Sequence, residues 1–261
     1  MGSSFALALR GQGHTLVGSD PDPSVVRKAV DRRIVEVAHS DLSMVDIADV
    51  VVVAAPIRAM RDVFQRLAGK TANRVVTDMA STKTEVMAWA AAAGVDLVGG
   101  HPMCGRETSG IDAADPAIFQ GAPWIITRRD PAVVALIEAV GAQPVVLSPA
   151  THDRLVAGVS HAAFLLSIGY VLALSRREEW PQAAGLAASG FRDMSRLAAG
   201  DPGLYAGIAS TNRENMVAML DAVSAELARL RRHLEADDPR LVELFEEARS
   251  VRERWAKDHH A

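Results

Sequence analysis

The 261 residues are 49% hydrophobic and 23% charged, and 28 basic against 32 acidic side chains leave a formal net charge of −4. That balance gives no electrostatic reason to expect nucleic acid or an anionic membrane as partner, and the length suits two modest domains with cores of their own. Cys104 is the one cysteine, which excludes an intrachain disulfide framework and metal-knuckle spacing and fits a reducing cytoplasm.

The opening MGSSFALALRGQGH has a short apolar run but neither a basic n-region nor an adequate h-region, so it does not read as a signal peptide. It reads as the tail of a dinucleotide-binding turn. Gly2, Ser3 and Ser4 start a helix whose N-terminus faces phosphate, and the strand HTLVGSD (14–20) then ends at Asp20. An acid there holds ribose hydroxyls and favours NAD, because it would repel the extra phosphate of NADP. The plainer reading of such an acid is a turn former. The first strand and the opening two glycines of a G-x-G-x-x-G turn do not precede it, so an N-terminally truncated fold is expected.

Strands are expected over 50–57, 74–81, 96–101, 123–128 and 144–148, with helical spacing over 57–68, 83–93 and 131–140 between them. This alternation predicts a parallel sheet covered by helices. Ligands bind at the carboxyl ends of such strands, which puts Ala55, Pro56 and Ser81 beside the cofactor. Ser81 and Thr82 could equally cap the next helix, and Lys83 is ambiguous, since cations suit a helix N-terminus poorly without an anion nearby.

In VGGHPMCGRETSG (98–110), a strand runs through two glycines into His101. On the same sheet edge as the Ser81 loop, a neutral imidazole is a natural base for a substrate hydroxyl. A lone histidine is more commonly structural, but Gly99, Gly100 and Gly105 suggest a ligand approaching the backbone.

At SPATHD (148–153) the grammar changes. Ser148 is a plausible N-cap with Pro149 in the first turn, and helices are expected over 150–177, 181–199, 203–234 and 238–258. Residues 155–174 carry no formal charge and could span a bilayer by length. His161, two serines and two glycines interrupt them, which favours a helix buried on all sides in a helical domain or an oligomer interface. His161 is costly to bury unpaired and hints at a cleft. Arg192 and Arg196 share a helix face with Asp193 beside them, suited either to a carboxylate or to a solvated, salt-bridged surface.

Together VGGHPMCGRETSG, TDMASTKTEV, GVSHAAFLL and SGFRDMSRLAAGDPGLY resemble the prephenate and arogenate dehydrogenase family over essentially the whole chain. The resemblance implies a Rossmann-type α/β nucleotide-binding domain over 1–148 and an all-α helical dimerisation domain over 149–261. It further implies NAD as cofactor, no metal, a homodimer in the cytoplasm, and oxidative decarboxylation of prephenate to the tyrosine precursor. By resemblance His101 is the catalytic base, Ser81 hydrogen-bonds and orients it, and Arg196 grips the ring carboxylate with Asp193 in support. His161, Lys83 and Tyr205 complete the substrate-binding set. The family's second histidine, three residues after the match to His161, is Phe164 here. Arogenate, 4-amino-4-deoxyprephenate, and a non-catalytic ligand-binding dimer stand as alternatives.

Overall fold

The computed structural model describes residues 1–105 and 110–259; residues 106–109 of the expected site loop lie outside them. The chain opens with α1 (Gly2–Leu9), β1 (Val17–Ser19), α2 (Pro23–Asp31) and β2 (Val37–His39). Next come β3 (Val50–Val53), α3 (Ile57–Leu67), β4 (Val75–Asp78), α4 (Thr84–Ala92), β5 (Leu97–Val98) and β6 (Gly100–Pro102). Then follow β7 (Pro123–Ile126), α5 (Pro131–Ala139) and β8 (Gln143–Val146).

From residue 149 the described chain is helical. It runs through α6 (Pro149–Val156), a π-helical turn (Ala157–His161), α7 (Ala162–Ser175), α8 (Trp180–Gly185), α9 (Ser189–Ser195) and a 3-10 turn (Arg196–Ala199). It continues with α10 (Pro202–Thr211), α11 (Arg213–Glu235) and α12 (Arg240–His259).

Helix starts follow the sequence chemistry. Asp22, Asp130 and Ser148 each cap a helix whose first turn carries a proline, accepting from Ser24 N, from Ala132 and Val133 N, and from Thr151 N respectively. On α5, Val133 and Ile137 lie four apart and face inward. They join Phe5, Leu9, Phe119, Trp124, Ile126 and Val140 in a core around β7, where Phe119 stacks on Trp124 at 5.5 Å between ring centroids. Each such side chain contributes about 1.5–3 kcal/mol by leaving water.

The sheet departs from the expected all-parallel form. β1 pairs with β2, and β3, β4 and β5 pair in that order, all parallel; β8 is parallel to β7, but β6 is antiparallel to it. The strand expected over 96–101 divides at Gly99. Gly99 N donates to Thr127 Oγ1 at 2.9 Å and Thr127 N donates to Gly99 O at 2.9 Å, so the chain leaves β4 and joins β7. His101 therefore sits mid-strand on β6, opposite Ile125, not at the end of a strand beside β4.

By packing, Met1–Asn215 form one compact unit and the chain from Met216 onward a second. Within the first, Gly207 of α10 lies so close to Ile57 of α3 that a Cβ would stand 3.4 Å from it. The helical run Pro149–Ser175 is long and apolar enough to cross a membrane, with a mean hydropathy of 1.9, yet only 33% of its most apolar window is buried within the chain. Within the chain it is not enclosed on all sides, since Leu155, Val159 and Leu172 are exposed, which leaves the oligomer interface of the two places expected for it. In the second unit Leu227, Leu234, Phe245, Val251 and Trp255 are exposed, and Arg231–Glu235 and Arg249–Glu253 form ion pairs one helical turn apart.

Candidate active site

The site is built on the turn that leaves β4. The Asp78 carboxylate, fully buried, accepts from Gly100 N (2.8 Å) on one oxygen and from Ala80 N (2.8 Å) and Lys83 Nζ on the other. It thereby ties the β4 turn to the start of β6. Thr82 Oγ1 meets Thr211 Oγ1 at 2.8 Å, fastening the same turn to the end of α10.

Two expectations change here. Lys83 does not reach toward a substrate: it is fully buried and its ammonium is taken by Asp78, the anion that its position at the head of α4 required. Gly99 and Gly100 admit protein rather than ligand. A Cβ at Gly99 would stand 2.8 Å from Met87 Sδ and from Thr127 Cγ2, and one at Gly100 would collide with the Asp78 carbonyl and lie 3.1 Å from Trp124 Nε1.

From the helical part, Asp153 reaches across to α4. Its Oδ1 accepts from Lys83 N (2.7 Å) and its Oδ2 from Thr84 N (2.8 Å), so a residue 70 positions later caps this helix, which has no side-chain cap of its own. The same carboxylate receives His152 Nδ1 at 2.8 Å, and His152 Nε2 lies 2.8 Å from His101 Nδ1. The two rings stand nearly perpendicular, at 77°. This occupies the position expected for Ser81. Among the described residues Ser81 makes no hydrogen bond to His101, whose Nδ1 is already engaged by His152; Ser81 is partly exposed at the turn.

His161 closes the π turn. Asn212 donates its amide to Asp153 O (2.8 Å) and to His161 Nδ1 (3.1 Å), at the helical irregularity that often marks a functional position. With Nδ1 accepting, a neutral His161 carries its proton on Nε2, which is buried and has no partner among the described residues.

Burial, with His152, Lys83 and His161 nearby, holds the His101 imidazole well below its usual pKa. Burial, with His152 adding to it, pushes His161 down to about 4. Both rings are therefore neutral at physiological pH. Burial raises the Asp153 carboxyl, but hydrogen bonds from His152, Thr84 and Lys83 outweigh it and keep the group ionised. Burial pushes the Cys104 thiol up to about 11, so it is no nucleophile near neutrality.

Arg196 begins the 3-10 turn that follows α9, with Arg192 and Asp193 one turn earlier, all exposed. Ser167 of α7 clamps this segment, donating to Met194 O (2.8 Å) and accepting from Ala198 N (3.0 Å). Tyr205 stacks flat on Phe164, with ring centroids 3.3 Å apart. Gly200 leaves room for this pair, since a Cβ there would stand 2.7 Å from the Tyr205 ring.

The expected cofactor residues divide into two places. Gly2 heads α1 and packs against the end of β3, where a Cβ would meet Ala54 Cβ at 2.9 Å, next to Ala55 and Pro56. The first-turn amides of α1 have no partner inside the helix, a donor set that suits a phosphate. Ser3 is partly exposed, while Ser4 is buried and its Oγ accepts from Asp115 N at 3.1 Å. Asp20 follows β1, and its Oδ1 accepts from Asp22 N at 2.9 Å in a turn, which leaves Oδ2 for a ribose. This arrangement fits a dinucleotide. Among the described residues no group of three His, Cys, Asp or Glu is arranged to hold a metal ion.

Sequence reasoning missed Asp78, His152, Asp153 and Asn212 as parts of the site. A His-Asp pair one turn inside a capped helix was the available signal for two of them.

Comparison with known proteins identifies the family and the fold. The family pattern described as "Prephenate dehydrogenase, nucleotide-binding domain" matches residues 5–142, and "Prephenate dehydrogenase, dimerization domain" matches residues 148–247. A prephenate dehydrogenase of Lactococcus lactis subsp. cremoris is 27% identical over 264 residues, covering 97% of this chain and 74% of the relative. The crystal structure of an A. aeolicus prephenate dehydrogenase in complex with hydroxyphenyl propionate and NAD+ superposes with a TM-score of 0.89 at 26% identity, covering 97% of this chain and 93% of that one. Synechocystis arogenate dehydrogenase superposes with a TM-score of 0.83 at 30% identity, over 97% and 95% of the two chains. The chain belongs to the prephenate dehydrogenase family of NAD-dependent oxidoreductases.

Proposed function

We propose that the protein converts prephenate to 4-hydroxyphenylpyruvate by oxidative decarboxylation, with His101 as general base. The observation that carries this is the state of His101: a half-buried neutral imidazole with Nδ1 tied to His152 and Nε2 without a hydrogen bond among the described residues. Nε2 takes the proton of the ring 4-hydroxyl as that carbon becomes a carbonyl, and loss of the ring carboxylate as carbon dioxide aromatises the ring. Bound NAD supplies the hydride acceptor. Aromatisation drives the reaction, so the protein's part is to position and deprotonate.

Arg196 binds the ring carboxylate, with Asp193 beside it, and acts chiefly in binding, since too firm a hold would oppose decarboxylation. His161 presents a buried Nε2–H that needs an acceptor, which a substrate oxygen provides. Tyr205 and Phe164 offer an apolar wall where the family's second histidine would stand. Gly2, Ser3 and Ser4 would hold the pyrophosphate of NAD, Asp20 its ribose, and Ala55, Pro56 and Ser81 line its approach. Arogenate is the second reading, favoured by the likeness to Synechocystis arogenate dehydrogenase.

The change of composition at Ser148 and the two family patterns on either side of it support domains at 1–148 and 149–261. The exposed apolar residues of α11 and α12 support a homodimer formed through the helical part, and the single cysteine suits the cytoplasm. The test of the base is His101→Asn: turnover falls by about 10²–10⁴ while KM for prephenate stays within a few fold. Near-parental turnover at neutral pH would overturn the assignment.

A further inference from the structure

We propose that His152 is a positioning residue for this reaction: backed by Asp153, it holds the proton of His101 on Nδ1 and so keeps the Nε2 lone pair available to substrate. The inference rests on His101 being the base. It follows from donor and acceptor accounting along one chain of contacts.

Asp153 accepts two backbone amides from the first turn of α4. An ionised carboxylate has no proton to give, so the 2.8 Å contact with His152 requires the proton on His152 Nδ1. His152 is fully buried. A second proton on its ring would add a buried cation near that of Lys83, at a large desolvation cost, whereas the charge of Asp153 is already met by the α4 amides. His152 is thus neutral with a lone pair on Nε2. The 2.8 Å contact to His101 then requires the proton on His101 Nδ1.

An isolated neutral imidazole prefers the opposite tautomer, with its proton on Nε2, which could not accept a proton from a hydroxyl. When His101 takes up the substrate proton, its Nδ1–H bond to His152 becomes charge-assisted and stronger. The relay thereby favours the charged form of His101 as it develops. A neutral His152 exerts no such repulsion as a charged one would, and its bond offsets part of what presses on the same ring: desolvation, any charge on His152 itself, Lys83 from the β4–α4 turn and any charge on His161 from the π turn. The scaffold is rigid: His152 N donates to Ser148 O, and Asn212 holds Asp153 O.

The experiment reads the tautomer directly. In the full-length protein labelled with 15N-histidine, long-range 1H–15N correlations at neutral pH assign the protonated nitrogen of His101, identified by loss of its signals in His101→Gln. The expected parental result is protonation at Nδ1. In His152→Leu the proton moves to Nε2 and kcat for prephenate falls by about tenfold or more with little change in KM. His152→Gln, whose amide oxygen can stand near the lost Nε2, restores the Nδ1–H form and part of kcat. A structural role alone would not move the tautomer.

Protonation of parental His101 at Nε2 overturns the relay, even if the His152 variants fail to fold. Parental kcat and tautomer in a folded His152→Leu overturn it as well. Full turnover in His101→Asn would instead remove the base, and the relay's role with it, whatever the tautomer.

Discussion

The Asp78 carboxylate and the Lys83 ammonium pair with no solvent reaching either side chain. Removing one partner strands the other charge in the interior, at about 3–5 kcal/mol. Lys83→Met is therefore expected to lower the melting temperature markedly, while the fraction that remains folded keeps the parental KM for prephenate. Thermal melting and steady-state kinetics check this together. A raised KM at unchanged stability would return Lys83 to the substrate.

Arg196 stands on a segment that Ser167 holds from both sides. If it binds the ring carboxylate, Arg196→Ala weakens prephenate binding by about 1.5–3 kcal/mol, the usual worth of a hydrogen bond to a charged group, or about 10- to 150-fold in KM. An unchanged KM would make the Arg192–Arg196 face a solvated surface.

His161 makes stability depend on pH. Its imidazole protonates near 6.5 in the unfolded chain but resists to about 4 in the folded one, so between those values the unfolded state binds more protons. The stabilisation from keeping the ring neutral is complete above pH 6.5, is lost as pH falls through that window, and levels off below about 4. Its full size is about 3 kcal/mol. His101, depressed in the same direction, adds to the slope. Denaturant titrations between about pH 7 and pH 4 should show this decline, with a shallower slope in His161→Gln. An identical slope in the variant would remove His161 from the account.

Much of the fold was legible because local rules decide it. The helices expected over 57–68, 83–93 and 131–140 occur as Ile57–Leu67, Thr84–Ala92 and Pro131–Ala139, since apolar spacing, and for α5 a capping acid, specify them. The strand Val37–His39 and helix Pro23–Asp31 went unread: neither α2 nor β2 contains a buried residue, although Asp22 and Pro23 mark the start of α2 in the sequence. The antiparallel turn into β6 was hidden because it depends on Thr127 capturing Gly99, a contact between residues 28 apart.

The site divides in the same way. His101 stood out because a titratable ring beside two glycines is unusual, but those glycines serve close packing on Asp78, Met87 and Thr127. The partner of His101 comes from a helix 51 residues later. In sequence, His152 and Asp153 look like ordinary polar residues one turn into a capped helix. Only the packing of α6 on the head of α4 gives them work.

Asp153 serves two masters: it caps the helix after the Ser81 turn and it orders the histidine behind His101. Anyone building a hybrid enzyme by joining one relative's first half to another's second half at residue 148 would cut between these partners. A join there would inherit α4 from one parent and its cap from the other. The two halves exchange as cassettes only if a histidine and an acid stand at positions 152 and 153, and a better crossover keeps the β4–α4 turn, β6 and α6 from a single parent.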